Sequence, residues 1–139
     1  MIVLDTNVIS EAMAAVPDAA VARWLSTQHG PTLFMTTVSI AEILYGIELL
    51  PAGKRRNGLL RSAEEMYARL FAGRVLAFDE PAARTFPAIA VARRMRGRPI
   101  TLFDAQIAAI ARANSATLAT RNTADFEGCG IRLLNPWVD

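Results

Sequence analysis

Three acidic residues stand where acids are least expected. Asp5 follows the apolar run Met1-Ile2-Val3-Leu4. Glu42 lies within Val38-Ser39-Ile40-Ala41-Glu42-Ile43-Leu44-Tyr45-Gly46-Ile47, and Asp104 within Ile100-Thr101-Leu102-Phe103-Asp104-Ala105-Gln106-Ile107-Ala108-Ala109-Ile110. Each is the only charge in its stretch. A lone carboxylate taken out of water is strongly disfavoured and takes up a proton unless something compensates. No arginine lies inside these stretches. A hard cation is the economical compensation, because one ion serves several carboxylates, and an all-oxygen donor set selects Mg²⁺ or Mn²⁺ over zinc.

Each acid also has a plainer explanation. Asp5 before Thr6-Asn7 suits a helix cap, and Asp104 suits the first turn of a helix, where the dipole favours an acid. Glu42 could lie on a solvated stripe, but its neighbours at helical spacing are Val38, Ala41, Tyr45, Gly46 and Leu49, which is not a polar face. One shared cation accounts for all three at once. A further segment, Thr120-Arg121-Asn122-Thr123-Ala124-Asp125-Phe126, adds a hydroxyl, an amide and a fourth acid. Asn122 and Asp125 are equally suited to fastening a turn.

Other chemistries lack parts. His29 is the single histidine, which excludes a two-histidine acid–base ribonuclease, and its place at a helix end suggests a structural role. Cys129 is the single cysteine, so no intramolecular disulfide and no cysteine-rich zinc site can form. No glycine-rich phosphate loop occurs, and the serines and threonines have no evident base.

The elements that must position the acids follow from hydrophobic pattern and punctuation. Short apolar runs at Met1–Leu4, Leu33–Thr36, Arg74–Phe78, Thr117–Ala119 and Ile131–Leu134 read as five strands. Helices are expected over Thr6–Met13, over Ala19–Gln28 with Asp18 as N-cap, and from a Ser39 cap to about Leu50. A polar helix follows over Lys54–Ala72, with Leu59, Leu60, Ala63, Met66, Tyr67 and Leu70 on one stripe. Asp79 caps a helix to about Arg96 in which Pro87 predicts a kink or break. The last helix runs from Phe103 to Asn114. Strands alternating with helices predict an α/β fold, a three-layer α/β/α sandwich on a parallel sheet of about five strands. Sites in such sheets lie beyond the carboxyl ends of the strands, where Asp5 and Asn122 fall.

The 139 residues suit a single domain over 1–139. With 53% hydrophobic and 20% charged residues and a mean hydropathy of +0.26, a disordered chain is excluded. The same numbers suggest a surface covered by a second copy or a partner. No signal peptide and no apolar run long enough for a membrane span is evident, so a cytoplasmic protein without membrane contact is expected. Lys54 is the only lysine among fifteen basic residues. Arginine's planar fork suits phosphate, which is compatible with a nucleic-acid substrate, although a GC-rich genome also favours arginine.

The residues now resemble a known family. Leu4-Asp5-Thr6-Asn7-Val8-Ile9-Ser10-Glu11 resembles the first motif of PIN domains. Val38 to Gly46 resembles the second, Asp104 to Ala111 the third, and Thr120 to Phe126 the fourth. Leu134-Asn135-Pro136-Trp137 is similar to the ending of the bacterial VapC branch. Four motifs in order, from end to end, make the resemblance specific. It implies an endoribonuclease dependent on Mg²⁺, with Mn²⁺ as a substitute, and the toxin half of a type II toxin–antitoxin pair. Asp5 and Asp104 would bind the metal, Glu42 would complete the acidic triad, and Thr6 and Thr120 would support them by hydrogen bonding. Glu42 would orient the attacking water or accept its proton, and Arg98 and Arg121 would hold the RNA backbone. The resemblance also implies a homodimer, a VapB-type antitoxin inserted at the pocket, and operator DNA bound only through that antitoxin. One departure stands out: some relatives carry an acid where this chain has Asn122, so Asp125 is the candidate for a fourth carboxylate.

Two other readings remain open on the sequence. A haloacid-dehalogenase-like phosphotransferase also places an aspartate after its first strand, but it needs a second acid where this chain has Asn7. A non-catalytic RNA-binding or interaction module on the same fold would not need the intact acidic set.

Overall fold

The computed structural model describes residues 1–139. The chain runs β1 (Ile2–Leu4), α1 (Thr6–Ala12), α2 (Ala19–Thr27), β2 (Leu33–Thr36), α3 (Thr37–Glu48), α4 (Lys54–Arg69) and β3 (Val75–Leu76). It continues through α5 (Glu80–Met95), α6 (Leu102–Ala113), β4 (Thr117–Ala119) and β5 (Arg132–Leu134), with single 3-10 turns at Gly30–Thr32 and Thr123–Phe126. All strand pairs are parallel, in the order β3-β2-β1-β4-β5. The expected three-layer α/β/α sandwich is the observed one.

Successive strand residues face opposite layers, and this builds two cores. Val3 and Leu118 face a core with Ala82 and Ile89 of α5 and Ile107 to Ala111 of α6. Leu4, Met35 and Ala119 face a second core with Val8 and Ile9 of α1, Val21 of α2, Ile43 and Ile47 of α3, and Ala63 and Met66 of α4. Strands covered on both faces need apolar residues at every position, which is why β1 and β4 read as unbroken apolar runs rather than alternating ones.

Several boundaries differ from expectation. Ser39 is not the cap of α3; Thr36 is, its Oγ1 accepting from the Ser39 N–H at 3.0 Å. The strand residue doubles as the cap because no loop separates β2 from α3. β3 is two residues long, Val75–Leu76, rather than Arg74–Phe78, since it pairs only with the last two residues of β2. α4 ends at Arg69, and Leu60 and Leu70 of its supposed buried stripe are exposed. α5 runs unbroken through Pro87. Its packing along α6 and the Ile89 contact with the core outweigh the one ladder bond that proline removes. His29 is exposed and serves only by its backbone, its carbonyl oxygen accepting from Thr32. No helix is long and apolar enough to cross a membrane.

Candidate active site

The sheet order makes one crevice. From β1 the chain moves outward through β2 and β3, then returns to the other side of β1 for β4 and β5. The helix leaving β1, α1, packs into one core through Val8 and Ile9, and the 3-10 turn leaving β4 packs into the other through Phe126; such a switch point leaves an opening beyond the carboxyl ends of the two strands. Leu4 pairs with Ala119 in register, so the next residues, Asp5 and Thr120, are brought side by side. The Asp5 N–H continues the ladder to the Ala119 carbonyl at 2.9 Å, and the Thr120 N–H continues it to Leu134 at 2.9 Å.

Asp5 is 5% exposed. Its Oδ1 accepts from the Thr6 N–H at 2.8 Å, so it is also the N-cap of α1. Cap and site residue are thus one and the same. Its Oδ2 accepts from the Thr120 hydroxyl at 2.8 Å and from Asn7 Nδ2 at 3.4 Å. Glu42 reaches the same place from the second turn of α3. Its Oε1 accepts from the Thr6 hydroxyl at 2.8 Å, and the Ser39 hydroxyl, one turn earlier on α3, lies 2.9 Å from Thr6 Oγ1. Asp104 stands in the first turn of α6, where the Thr101 hydroxyl accepts from its N–H at 3.3 Å. Thr6 thus donates to Glu42 and Thr120 to Asp5.

The electrostatics tie the acids together. Burial, opposed by the bonds from Thr120 and Thr6 and reinforced by the charges of Asp104 and Glu42, pushes Asp5 up to about 6. Burial raises Glu42 above the usual carboxylate range, the Thr6 bond works against it, and the Asp104 charge adds to it. Asp104 is raised by burial, restrained by Thr101, and raised further by Asp125. Glu42 and Asp104 are half-buried rather than enclosed, which corrects the expectation from their apolar surroundings: each sits at the mouth of the crevice, with only Asp5 at its floor. The chain's four ion pairs are Arg56–Glu48, Arg69–Glu65, Arg84–Glu80 and Arg98–Glu127. None of Asp5, Glu42, Asp104 or Asp125 has a basic partner.

Asp125 and Asn122 take different places. Asn122 uses its backbone, its N–H donating to Thr120 Oγ1 at 3.1 Å and its carbonyl oxygen accepting from Asp125 at 3.0 Å. Asp125 is exposed but close enough for its charge to act on Asp104. The turn carrying it is held by Arg93 of α5, whose Nη1 donates to the Glu127 carbonyl at 2.9 Å and the Ala124 carbonyl at 3.4 Å. Sequence reasoning missed three roles. Ser39 completes the hydroxyl relay to Glu42. Asn7 joins Asp5, the Thr120 hydroxyl and the Arg121 N–H. Arg93 braces the fourth segment. The serine's i, i+3 spacing from Glu42 and the two-residue spacing of Asn7 from Asp5 were readable signals; the Arg93 contacts were not local. Of the two rim arginines, Arg98 is engaged with Glu127, while Arg121 lies over the Trp137 ring at 5.2 Å.

The donors fit a hard divalent cation: they are carboxylate oxygens, mutually repelling, raised by burial, and without a counter-charge. No three His, Cys, Asp or Glu side chains converge closely enough to enclose an ion by themselves. Mg²⁺ is commonly held by one or two carboxylates and completed by water and substrate phosphate, so an open set of this kind suits it.

The PIN domain family model matches residues 2–128. This chain belongs to the PIN domain family. Among relatives, it is 42% identical over 137 residues to the VapC ribonuclease Y4jK of Sinorhizobium fredii, covering 99% of this chain and 98% of that protein. It is 39% identical over 139 residues to toxin FitB of Neisseria gonorrhoeae, covering 100% of both. Among solved structures, FitAB bound to a DNA fragment superposes with a TM-score of 0.92 at 39% identity, covering 99% of this chain and 96% of that one. Three segments of this PIN domain bring an acid to the β1–β4 crevice, and the fourth reaches it through the Thr120 hydroxyl on Asp5.

Proposed function

We propose that this PIN domain is a divalent-cation-dependent endoribonuclease and the toxin of a type II toxin–antitoxin pair. The observation that carries the proposal is the gathering of Asp5, Glu42 and Asp104 from three distant segments with no cation of the protein's own to balance them. The relatives named as ribonuclease and toxin support the choice of substrate and biological role.

Asp5 and Asp104 would hold Mg²⁺ or Mn²⁺, with Glu42 completing the set. A cation bound there supplies Lewis acidity toward the phosphate and makes a water more acidic. The protein's own groups do the rest. Thr120 and the Thr6 N–H fix the Asp5 carboxylate in one orientation, and Thr6 Oγ1 fixes Glu42. Glu42, raised above the usual carboxylate range by its burial, serves as the general base at the attacking water. In-line attack with no covalent enzyme intermediate leaves a 5′-phosphate and a 3′-hydroxyl. Asn122 acts through its backbone, and Asp125 tunes Asp104 or contributes a fourth carboxylate.

Partners follow from two further surfaces. Beside Glu42, a groove of about 300 Å³ is lined by Met13, Ile43, Ile47, Leu50 and Leu59 and opens onto Thr6 and Ser10. A VapB-type antitoxin segment would lie there, with operator DNA contacted through the antitoxin. Val91 and Met95 on α5 and Leu102 and Phe103 on α6 are exposed apolar side chains that a second copy would cover in a homodimer.

Incubating the purified protein with cellular RNA and Mg²⁺, then sequencing the new ends, tests the reading. Discrete internal cuts bearing 5′-phosphates are expected; RNA with no new ends after prolonged incubation contradicts it. The cleavage rate should also depend on pH. Asp5 must be ionised to hold a cation, so kcat/KM should rise as pH passes about 6. Because metal competes with the proton, the midpoint should move lower as Mn²⁺ is increased. A profile flat from pH 5 to 8 at every Mn²⁺ concentration would show that Asp5 does not take part.

A further inference from the structure

The chain contains two tryptophans, and both line one groove. Trp24 of α2 and Trp137 of the C-terminal segment face an open cleft of about 340 Å³, lined also by Arg23, Thr27 and Asp139. The cleft adjoins the acidic crevice. Asn135 Nδ2 donates to the Arg121 carbonyl at 3.4 Å, and the Arg121 N–H donates to Asn7 Oδ1 at 3.3 Å, itself part of the Asp5 network. Arg121 also lays its guanidinium over the Trp137 ring, 5.2 Å from the centroid. The chain's ion pairs leave both Arg23 and Arg121 without a carboxylate. Asp139, the one acid in the cleft, accepts the Asn135 N–H at 2.7 Å.

A half-buried indole beside an unpaired guanidinium is the composition that takes single-stranded nucleic acid: the ring stacks a base and the arginine holds a phosphate. Resting on the ribonuclease reading above, we propose that the Trp24–Trp137 cleft is a nucleobase subsite for the RNA strand being cut. It takes a base of a nucleotide flanking the scissile bond, while Arg121 holds the adjoining phosphate. Stacking accepts any base, so this subsite gives strand grip and register rather than sequence choice. Trp137 is pre-set for the task, since Pro136 is buried and the Trp137 N–H is fixed on Asn135 Oδ1 at 3.0 Å.

Because these are the only two tryptophans, intrinsic fluorescence reads the subsite directly. In EDTA, where RNA is not cut, a single-stranded RNA hexamer titrated into the whole protein should quench the emission saturably. The same hexamer made abasic at every position should quench much less. In Mg²⁺, Trp137→Leu and Trp24→Leu should each raise KM about tenfold, the scale of one lost base stack, with kcat little changed. Trp137→Phe, which keeps a stacking ring, should restore most of the affinity and control for folding. Arg121→Gln should raise KM and flatten its dependence on salt. RNA cutting by the wild-type protein without quenching, and with KM unmoved in the leucine variants, overturns the subsite and leaves the nuclease intact. Equal quenching by the abasic hexamer likewise overturns it. Base-dependent quenching by a protein that cuts no RNA upholds the subsite and removes the nuclease reading alone. Neither quenching nor cutting overturns both.

Discussion

Asp5→Asn is expected to abolish RNA cleavage and, in the absence of divalent cations, to make the protein more stable. The two effects have one cause. In the folded chain the Asp5 carboxyl is raised from 3.8 to about 6, chiefly by burial. A group whose folded value exceeds its unfolded value favours folding when protonated. That contribution is fully present below about pH 4 and is lost as pH rises through 6. At pH 7.5 the ionised carboxylate therefore works against the fold by on the order of 2–3 kcal/mol. Asparagine is nearly the same shape, keeps an oxygen to cap α1 through the Thr6 N–H, and carries no charge; the Thr120 hydroxyl can turn to accept from its amide. Urea denaturation in EDTA should show the variant more stable than the parent at pH 7.5 and the difference vanishing near pH 4. Cleavage should fall by roughly a thousandfold or more. A variant that cuts RNA at the parent rate, or that is destabilised at neutral pH, contradicts the role assigned to Asp5.

Removing divalent cations should have an equally large effect. EDTA is expected to stop cleavage, and Mg²⁺ or Mn²⁺ to restore it. The same ions should stabilise the protein in the absence of RNA, because they bind where the folded chain concentrates uncompensated charge. At a free concentration 100 times the dissociation constant, a ligand specific for the folded state contributes about 2.7 kcal/mol. For a chain of this length that is a rise in Tm of roughly 5–10 °C. Asp5→Asn and Asp104→Asn should lose most of that rise, Glu42→Gln a smaller part. An identical thermal shift in all three variants would locate the cation elsewhere, and EDTA-resistant cleavage without added Mg²⁺ or Mn²⁺ would remove the cation from the reaction.

How far the sequence disclosed this arrangement depended on whether the governing contacts were local. β2 and β4 were legible to the residue, because each is a short stretch set off from the neighbouring helix or turn by local sequence. β3 was not, because its length is set by the partner strand and not by its own residues. Pro87 misled for a related reason: the helix rule is local, and the packing of α5 along α6 is not. The acids were legible because a charge in an apolar stretch is anomalous wherever the stretch ends up. Their degree of burial was not. Whether Glu42 points to the crevice or into the core depends on the angle at which α3 leaves β2, and no pattern within Val38–Ile47 encodes that angle. Arg93, and Asn7 in its contacts with Thr120 and Arg121, act through partners more than thirty and more than a hundred residues away, respectively. Their residue types alone carry no sign of it.

The most direct test of the shared-cation account is a crystal of the protein soaked in Mn²⁺ and measured at a wavelength where manganese scatters anomalously. A peak within bonding reach of both Asp5 and Asp104, with Glu42 facing the same ion directly or through water, is the expected outcome. No peak in that crevice, with the three carboxylates apart or each held by its own guanidinium, would contradict it.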